Sequence, residues 1–330
     1  MTLEKPQQNV PFDRRAIPPY AVEGNWTAPD GHKIRRIDWP WLSGMSAKAN
    51  SERGSLLFMP GRADFYEKYL ESLDYWYQQG WRVTAADWRG QAFSGRLGGD
   101  DHSGHVADFD IWVRDLADFW DQWRAETPGP HVIVGHSMGG HIVLRALAEK
   151  CIVPDAAVLS APMLGLLPGI VPLPLIHMMA RLATKLRPAN RSAWNGSEKP
   201  GKMPEDRFDL LTHDTLRYQD ELWWRRNRPA LALGAPSWGW IERAIASMRL
   251  LFAPGKLEAI DVPTLFIATS ADGLVDYDAI KRAASRVPRA SLYVFGEDAR
   301  HEILRETDDV RDKALAEIDA FLVRAAPAAG

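Results

Sequence analysis

The stretch HVIVGHSMGGHIVL, His131 to Leu144, decides how the rest of this chain is read. Its opening, His131 to Val134, is a short β-branched apolar run, the pattern of a buried strand. From Met138 to Lys150 the apolar residues fall at helical spacing. Between the two lies Gly135-His136-Ser137-Met138-Gly139, which fits G-x-S-x-G. A strand that turns directly into a helix leaves no space for side chains beside the turn, so glycines flank the serine and its hydroxyl is pushed above the sheet edge. This is the local geometry of a serine nucleophile.

On both sides of that stretch strand and helix signals alternate, which predicts an α/β fold with a mainly parallel central sheet flanked by helices. Upstream, Asn25–Thr27 and Lys33–Ile37 read as a hairpin around Pro29-Asp30-Gly31. Ser55–Met59 reads as a buried strand, Phe65–Gln78 as an amphipathic helix, Arg82–Ala86 as a strand and Asp108–Arg124 as a strong helix. Downstream, Ala156–Leu159 is a further strand. The alternation then stops until strand Val262–Ala268, helix Tyr277–Ser285, strand Ser291–Phe295 and helix Asp309–Arg324. The simplest organisation is a core over residues 1–160 and 256–330, with a helical cap over 161–255 inserted before the last strands and covering the site.

A serine hydroxyl is a weak nucleophile near neutral pH, so it needs a base within hydrogen-bond reach and a carboxylate to orient that base. In a strand-turn-helix site of this kind the chain order is serine, acid, histidine, with the last two in loops after late strands. Asp272 follows strand Val262–Ala268, and His301 follows strand Ser291–Phe295. Asp276 and Asp278 compete with Asp272 but stand where a helix begins and read as caps. His136, His141 and His177 compete with His301, yet none lies in a loop after a late strand. Acyl transfer also needs donors aimed at the developing oxyanion. The backbone N–H of Met138, at the start of the helix, is one; that of Arg62, after Pro60-Gly61 at the end of an early strand, is the other.

The chain carries 330 residues, 46% apolar and 25% charged, which excludes bulk disorder, collagen and coiled coil. A formal charge of −3 gives no general basic field, so nucleic acid is not an expected partner. Cys151 is the only cysteine, which rules out an internal disulfide and a thiolate zinc cluster; no metal and no cofactor are expected. With charged Glu4, Lys5, Asp13, Arg14 and Arg15 near the start, no secretory signal is read, and the cytoplasm is the expected compartment. The run Ala156–Ala180 is uncharged, but Pro162, Pro168, Pro172 and Pro174 make it a core strand leading into an apolar flap rather than a membrane span.

The motifs PGRADFYEKY, DWRGQAFSGRLGGDDHSGHVADFDIWVRDL, GHSMGG, TSADGLVD and ARHEILRE occur together, in that order, between about Ser55 and Leu322. In this the sequence resembles the α/β-hydrolases, specifically their bacterial lysophospholipase and monoacylglycerol lipase branch, often labelled serine aminopeptidase-like. The resemblance implies Ser137 as nucleophile, Asp272 as acid, His301 as base, and Arg62 with Met138 as oxyanion donors. Pro60 stands where the lipase branch has a His-Gly pair, which favours the lysophospholipase type. The expected substrate is an ester of an amphipathic lipid. The alternatives are a monoacylglycerol lipase or general carboxylesterase, an aminopeptidase using Glu205-Asp206 for the substrate ammonium, and a silent ligand-binding homologue.

Between Ala161 and Ile260 stand 14 Lys and Arg against 9 Asp and Glu, while the chain as a whole is acidic. Together with Trp223, Trp224, Arg225, Arg226, Arg228, Trp238 and Trp240, this predicts a cap suited to acyl chains and phosphate, and peripheral contact with an anionic membrane surface. The cluster Asp100, Asp101, His102 and His105 reads as a hydrogen-bonded loop rather than a metal site. Gly196–Met203 falls one residue short of a phosphate-binding loop, and the sequons at Asn25, Asn190 and Asn195 are read as coincidence.

Overall fold

The computed structural model describes residues 12–41, 52–167, 171–195 and 207–328. Its centre is one eight-stranded sheet, made of β1 (Val22–Thr27), β2 (Lys33–Trp39), β3 (Gly54–Met59), β4 (Trp81–Ala86), β5 (His131–His136), β6 (Ala156–Ser160), β7 (Thr264–Thr269) and β8 (Ala290–Phe295). The spatial order is β1-β2-β4-β3-β5-β6-β7-β8. The first two strands form an antiparallel hairpin, and β2 pairs antiparallel with β4; every later pairing is parallel.

Strands β3, β6 and β7 are buried along their whole length, as expected for a sheet covered on both faces. The strand period sorts their side chains between two apolar clusters. Leu57, Ile133, Leu159 and Phe266 enter one, with α2 (Phe109–Glu126), α3 (Met138–Ala148) and α8 (Tyr277–Ala284). Leu56, Val132, Val158 and Leu265 enter the other, with α1 (Leu70–Gln78) and α9 (Asp308–Ala325). Each sequence-read strand falls on one of these strands, with ends shifted by up to three residues. The helix expected over Phe65–Gln78 begins instead as a 3₁₀ turn, Tyr66–Tyr69, that leads into α1.

Between β6 and β7 the described chain forms α4 (Leu173–Leu186), α5 (Phe208–Leu211), α6 (Thr215–Asn227) and α7 (Trp238–Leu251), and no sheet strand. The apolar flap read after β6 is therefore helical from Leu173. Pro172 and Pro174 start that helix rather than break it, because the first-turn amides of a helix lack partners anyway. Helix α7 lies against α4, α2 and α3, and α6 lies against the 3₁₀ turn after β3. No helix among the described residues is long and apolar enough to cross a membrane. The phosphate-loop near-match Gly196–Met203 and the Glu205-Asp206 pair lie outside the described residues.

Candidate active site

Ser137 stands between β5 and α3 with φ +50° and ψ −116°, a strained backbone for a residue with a side chain. The turn closes only because its glycines are bare. A Cβ on Gly139 would run into the carbonyl oxygens of Met59 and Pro60, and one on Gly135 would sit 2.8 Å from the Cα of Gly140. The strain is held by packing, since all of α3 is buried.

His301 lies in the loop after β8, with its Nε2 2.9 Å from Ser137 Oγ and its Nδ1 2.8 Å from Asp272 Oδ2. Asp272 follows β7, and its other oxygen accepts the amides of Leu274 (2.8 Å) and Val275 (3.0 Å). Burial pushes the Asp272 carboxyl up, but the His301 ring and those amides outweigh it and the net shift is down. Burial likewise pushes the His301 imidazole down, and Asp272, with Glu302 and Asp64, turns the net shift upward. The expected serine, histidine and aspartate thus form one hydrogen-bonded line.

The rivals have other partners. Asp276 accepts the Asp278 amide at the start of α8, and Asp278 pairs with Lys281. His141 faces Ser247 at 2.7 Å, and burial with nearby Arg145 pushes it down to about 3. His177 sits between Glu242 and Arg249. His136 packs its ring 5.0 Å from that of His301, and burial pushes it down to about 4, so it is neutral at pH 7.

Of the two expected oxyanion donors, Met138 is the first residue of α3, where an amide has no acceptor within the helix. Arg62 follows Gly61, whose own Cβ position lies 3.1 Å from Ser137 Cβ, so this turn packs directly on Ser137. Arg62 is also fixed from its side chain, which donates to the Gly234 carbonyl at 2.6 Å and lies over the Trp240 ring.

Above Ser137 opens a cavity of about 420 Å³. Met163, Leu166, Leu173, Ile176, Trp240 and Ile241 line its apolar part, and Arg62, Asp64, Arg207 and Glu302 its polar part. The cap arginines singled out from sequence lie elsewhere. Arg225 pairs with Glu221, Arg228 with Glu67 and Glu23, and Arg226 is exposed. Asp100 accepts the amides of His102 and Ser103, His105 meets Ser237, and no group of metal-binding type is assembled among the described residues.

Sequence reading missed a buried ionic cluster beside His301. Lys68 Nζ reaches Asp64 Oδ1 (2.5 Å), Glu302 Oε1 (2.5 Å) and Glu221 Oε2 (3.1 Å), and Arg305 joins Glu221 and Glu302. The available signals were the i,i+4 spacing of Asp64 and Lys68 and the acid next to His301.

A sheet of this order with a serine turned out above its centre, backed by histidine and aspartate from later loops, defines an α/β-hydrolase. Residues 50–308 match the family model described as serine aminopeptidase S33, and the chain belongs to that family. It is 31% identical over 281 residues to lysophospholipase L2 of Escherichia coli K12, covering 82% of this chain and 80% of the relative. It is 26% identical over 280 residues to a probable lysophospholipase L2 of Haemophilus influenzae, covering 82% and 84%. A soluble variant of the monoglyceride lipase of Saccharomyces cerevisiae shares the fold, with a TM-score of 0.71 at 19% identity, over 95% of this chain and 99% of that one. The chain is an ester hydrolase, and these relatives are named for lipid esters.

Proposed function

We propose that the protein is a lysophospholipase that acylates Ser137. The observation that carries this reading is the line Ser137–His301–Asp272 opening into a cavity that is apolar along one stretch and carries guanidinium groups along another. The single acyl chain lies along Leu166, Leu173 and Ile176, and the phosphate side of the lipid lies toward Arg62 and Arg207. His301 Nε2 takes the hydroxyl proton as Ser137 Oγ attacks the ester carbon, and the amides of Met138 and Arg62 hold the oxyanion. Collapse expels the lysolipid alcohol, which receives the proton from His301. Water, deprotonated by the same ring, then releases the fatty acid and frees Ser137. An aminopeptidase needs a carboxylate open to the substrate ammonium; among the described residues the two that line this cavity, Asp64 and Glu302, already hold Lys68.

The test is hydrolysis of a palmitoyl lysophospholipid, a monoacylglycerol, p-nitrophenyl esters and amino-acid anilides by wild type and Ser137→Ala. Loss of about 10³-fold or more in the variant, with lysophospholipid the best substrate, is expected. Turnover near wild type in Ser137→Ala would overturn the mechanism.

The same reading puts the protein at the cytoplasmic face of an anionic membrane, entered through α4. Leu175, Met178, Met179, Leu182 and Leu186 are all at least 42% exposed on that helix, with exposed Arg181, Lys185 and Arg187 beside them. Such a helix lies in a lipid interface, with its basic side chains drawn to anionic headgroups. Its inner residues Leu173 and Ile176 line the cavity, so lipid passes from one face of the helix to the other. Binding to anionic vesicles that weakens with added salt is expected; absence of binding would remove this part.

A further inference from the structure

Asp64 and Glu302 pose an electrostatic problem for a site that must build negative charge. Both line the cavity above Ser137. Asp64 Oδ2 and Ser137 Cβ lie 2.8 and 3.1 Å from one point, the place a Gly61 Cβ would occupy. The carboxylate is therefore within about 6 Å of Ser137 Cβ, and at about that range an uncancelled charge in a dry site opposes an oxyanion by about 10²-fold in rate. Glu302 is the next residue after His301.

Asp64 also holds the turn that carries Arg62. Its Oδ2 accepts the Gly61 amide at 3.0 Å and the Tyr69 hydroxyl at 2.9 Å. Its Oδ1 accepts from Lys68, and among the described residues Lys68 is the only Lys or Arg that pairs with it. The Lys68 ammonium is fully buried and makes its three carboxylate contacts on three different segments, namely the turn after β3, the loop of His301 and helix α6.

We propose that Lys68 is a positioning residue for the hydrolytic reaction: it cancels Asp64 and Glu302 so that an oxyanion can form beside them, and it fixes the Gly61 turn and the His301 loop in one frame. This rests on the reading of Ser137 as nucleophile. Lys68 touches neither substrate nor the reacting atoms; it acts through the two carboxylates. The groups that face His301 are Asp272 from the end of β7, Ser137 and His136 from the end of β5, Asp64 from the turn after β3, and its neighbour Glu302. Arg62 and Arg207 line the same cavity. Asp64 and Glu302 already favour the protonated ring. Removing the ammonium leaves Asp64 uncancelled and Glu302 with Arg305 alone, so His301 holds its proton to higher pH.

The experiment compares full-length wild type, Lys68→Met, and the triple variant Lys68→Met/Asp64→Asn/Glu302→Gln on p-nitrophenyl butyrate across pH. Wild-type turnover and fluorophosphonate labelling at Ser137 test the underlying reading separately, and their absence would fail that reading, not this one. Expected for Lys68→Met is a kcat about 10²-fold lower, a KM within about threefold, and an acid limb of kcat/KM moved to higher pH. The triple variant, which has lost the charges together, recovers at least about tenfold of the lost kcat and returns the limb toward its wild-type position. A folded Lys68→Met with wild-type kcat overturns the proposal. So does a loss with an unmoved limb and no recovery in the triple variant, which is the behaviour of a merely structural lysine. Where Lys68→Met does not fold, the triple variant decides alone: kcat within about tenfold of wild type supports the proposal, and a loss beyond about 10²-fold overturns it.

Discussion

Helices α3 and α4 are both rich in apolar side chains and use them in opposite ways. Every residue of α3 is buried between the sheet and its neighbours, whereas in α4 only His177 and Ala180 are. Leu186 at the end of α4 is 72% exposed, a value no stability argument accounts for. The contrast separates apolar surface that holds the fold from apolar surface kept outside it. The first fixes Ser137 in a strained turn; the second is the face that the proposed reading assigns to lipid.

Substitutions along the two helices test that division. The largest effect is expected from Gly139→Ala in α3, because its methyl group would meet backbone oxygens of Met59 and Pro60 that cannot move aside. Ester hydrolysis falls by about 10²-fold or more, measured together with soluble yield; an active, well-folded variant would show that the turn is looser than described. Next, Ile142→Ala, fully buried in α3, lowers stability by about 2–5 kcal/mol in urea unfolding. The matched change in α4, Leu182→Ala at 57% exposure, stays within about 0.5 kcal/mol of wild type. Equal losses at the two sites would erase the contrast.

Membrane contact sharpens it further. Leu182→Gln with Leu186→Gln leaves stability and hydrolysis of a water-soluble ester unchanged, while affinity for anionic vesicles drops by about tenfold in a sedimentation assay. The smallest effect concerns pH. In the proposed mechanism His301 accepts the serine proton only when neutral, and the carboxylates around it raise its affinity for a proton above that of an ordinary imidazole. kcat/KM therefore rises with pH through a value above about 6.5, and a midpoint well below it would count against the charge balance described for the dry end of α3.

The sheet and its flanking helices were legible because strand and helix periods in the core are enforced by burial on both faces. Val132, Ile133 and Val134 read as a strand for the same reason that they pack as one. The meeting of Ser137, His301 and Asp272 was legible because each follows a strand in the order that the proposed chemistry needs. Helix α4 was not, since Pro172 and Pro174 read as interruptions when their real place is at its first turn. The Lys68 cluster was not, because its members come from residues 64, 68, 221, 302 and 305 and no local pattern joins them. The arginine-rich end of α6 misled in the other direction. Arg225 and Arg228 are held by Glu221 and Glu67, and the guanidinium that belongs to the cavity from the core side is that of Arg62.

Helix α7 gives the cavity Trp240 and Ile241, yet it is also the crossover that returns the chain to β7. It is riveted along its length, with Trp240 5.8 Å from Phe109, Ser247 bonded to His141 and Arg145, and the Phe252 carbonyl taken by Arg286. A doorpost of this kind does not swing. The other wall of the cavity is hung differently: α4 is packed on α7 and otherwise turned to the outside.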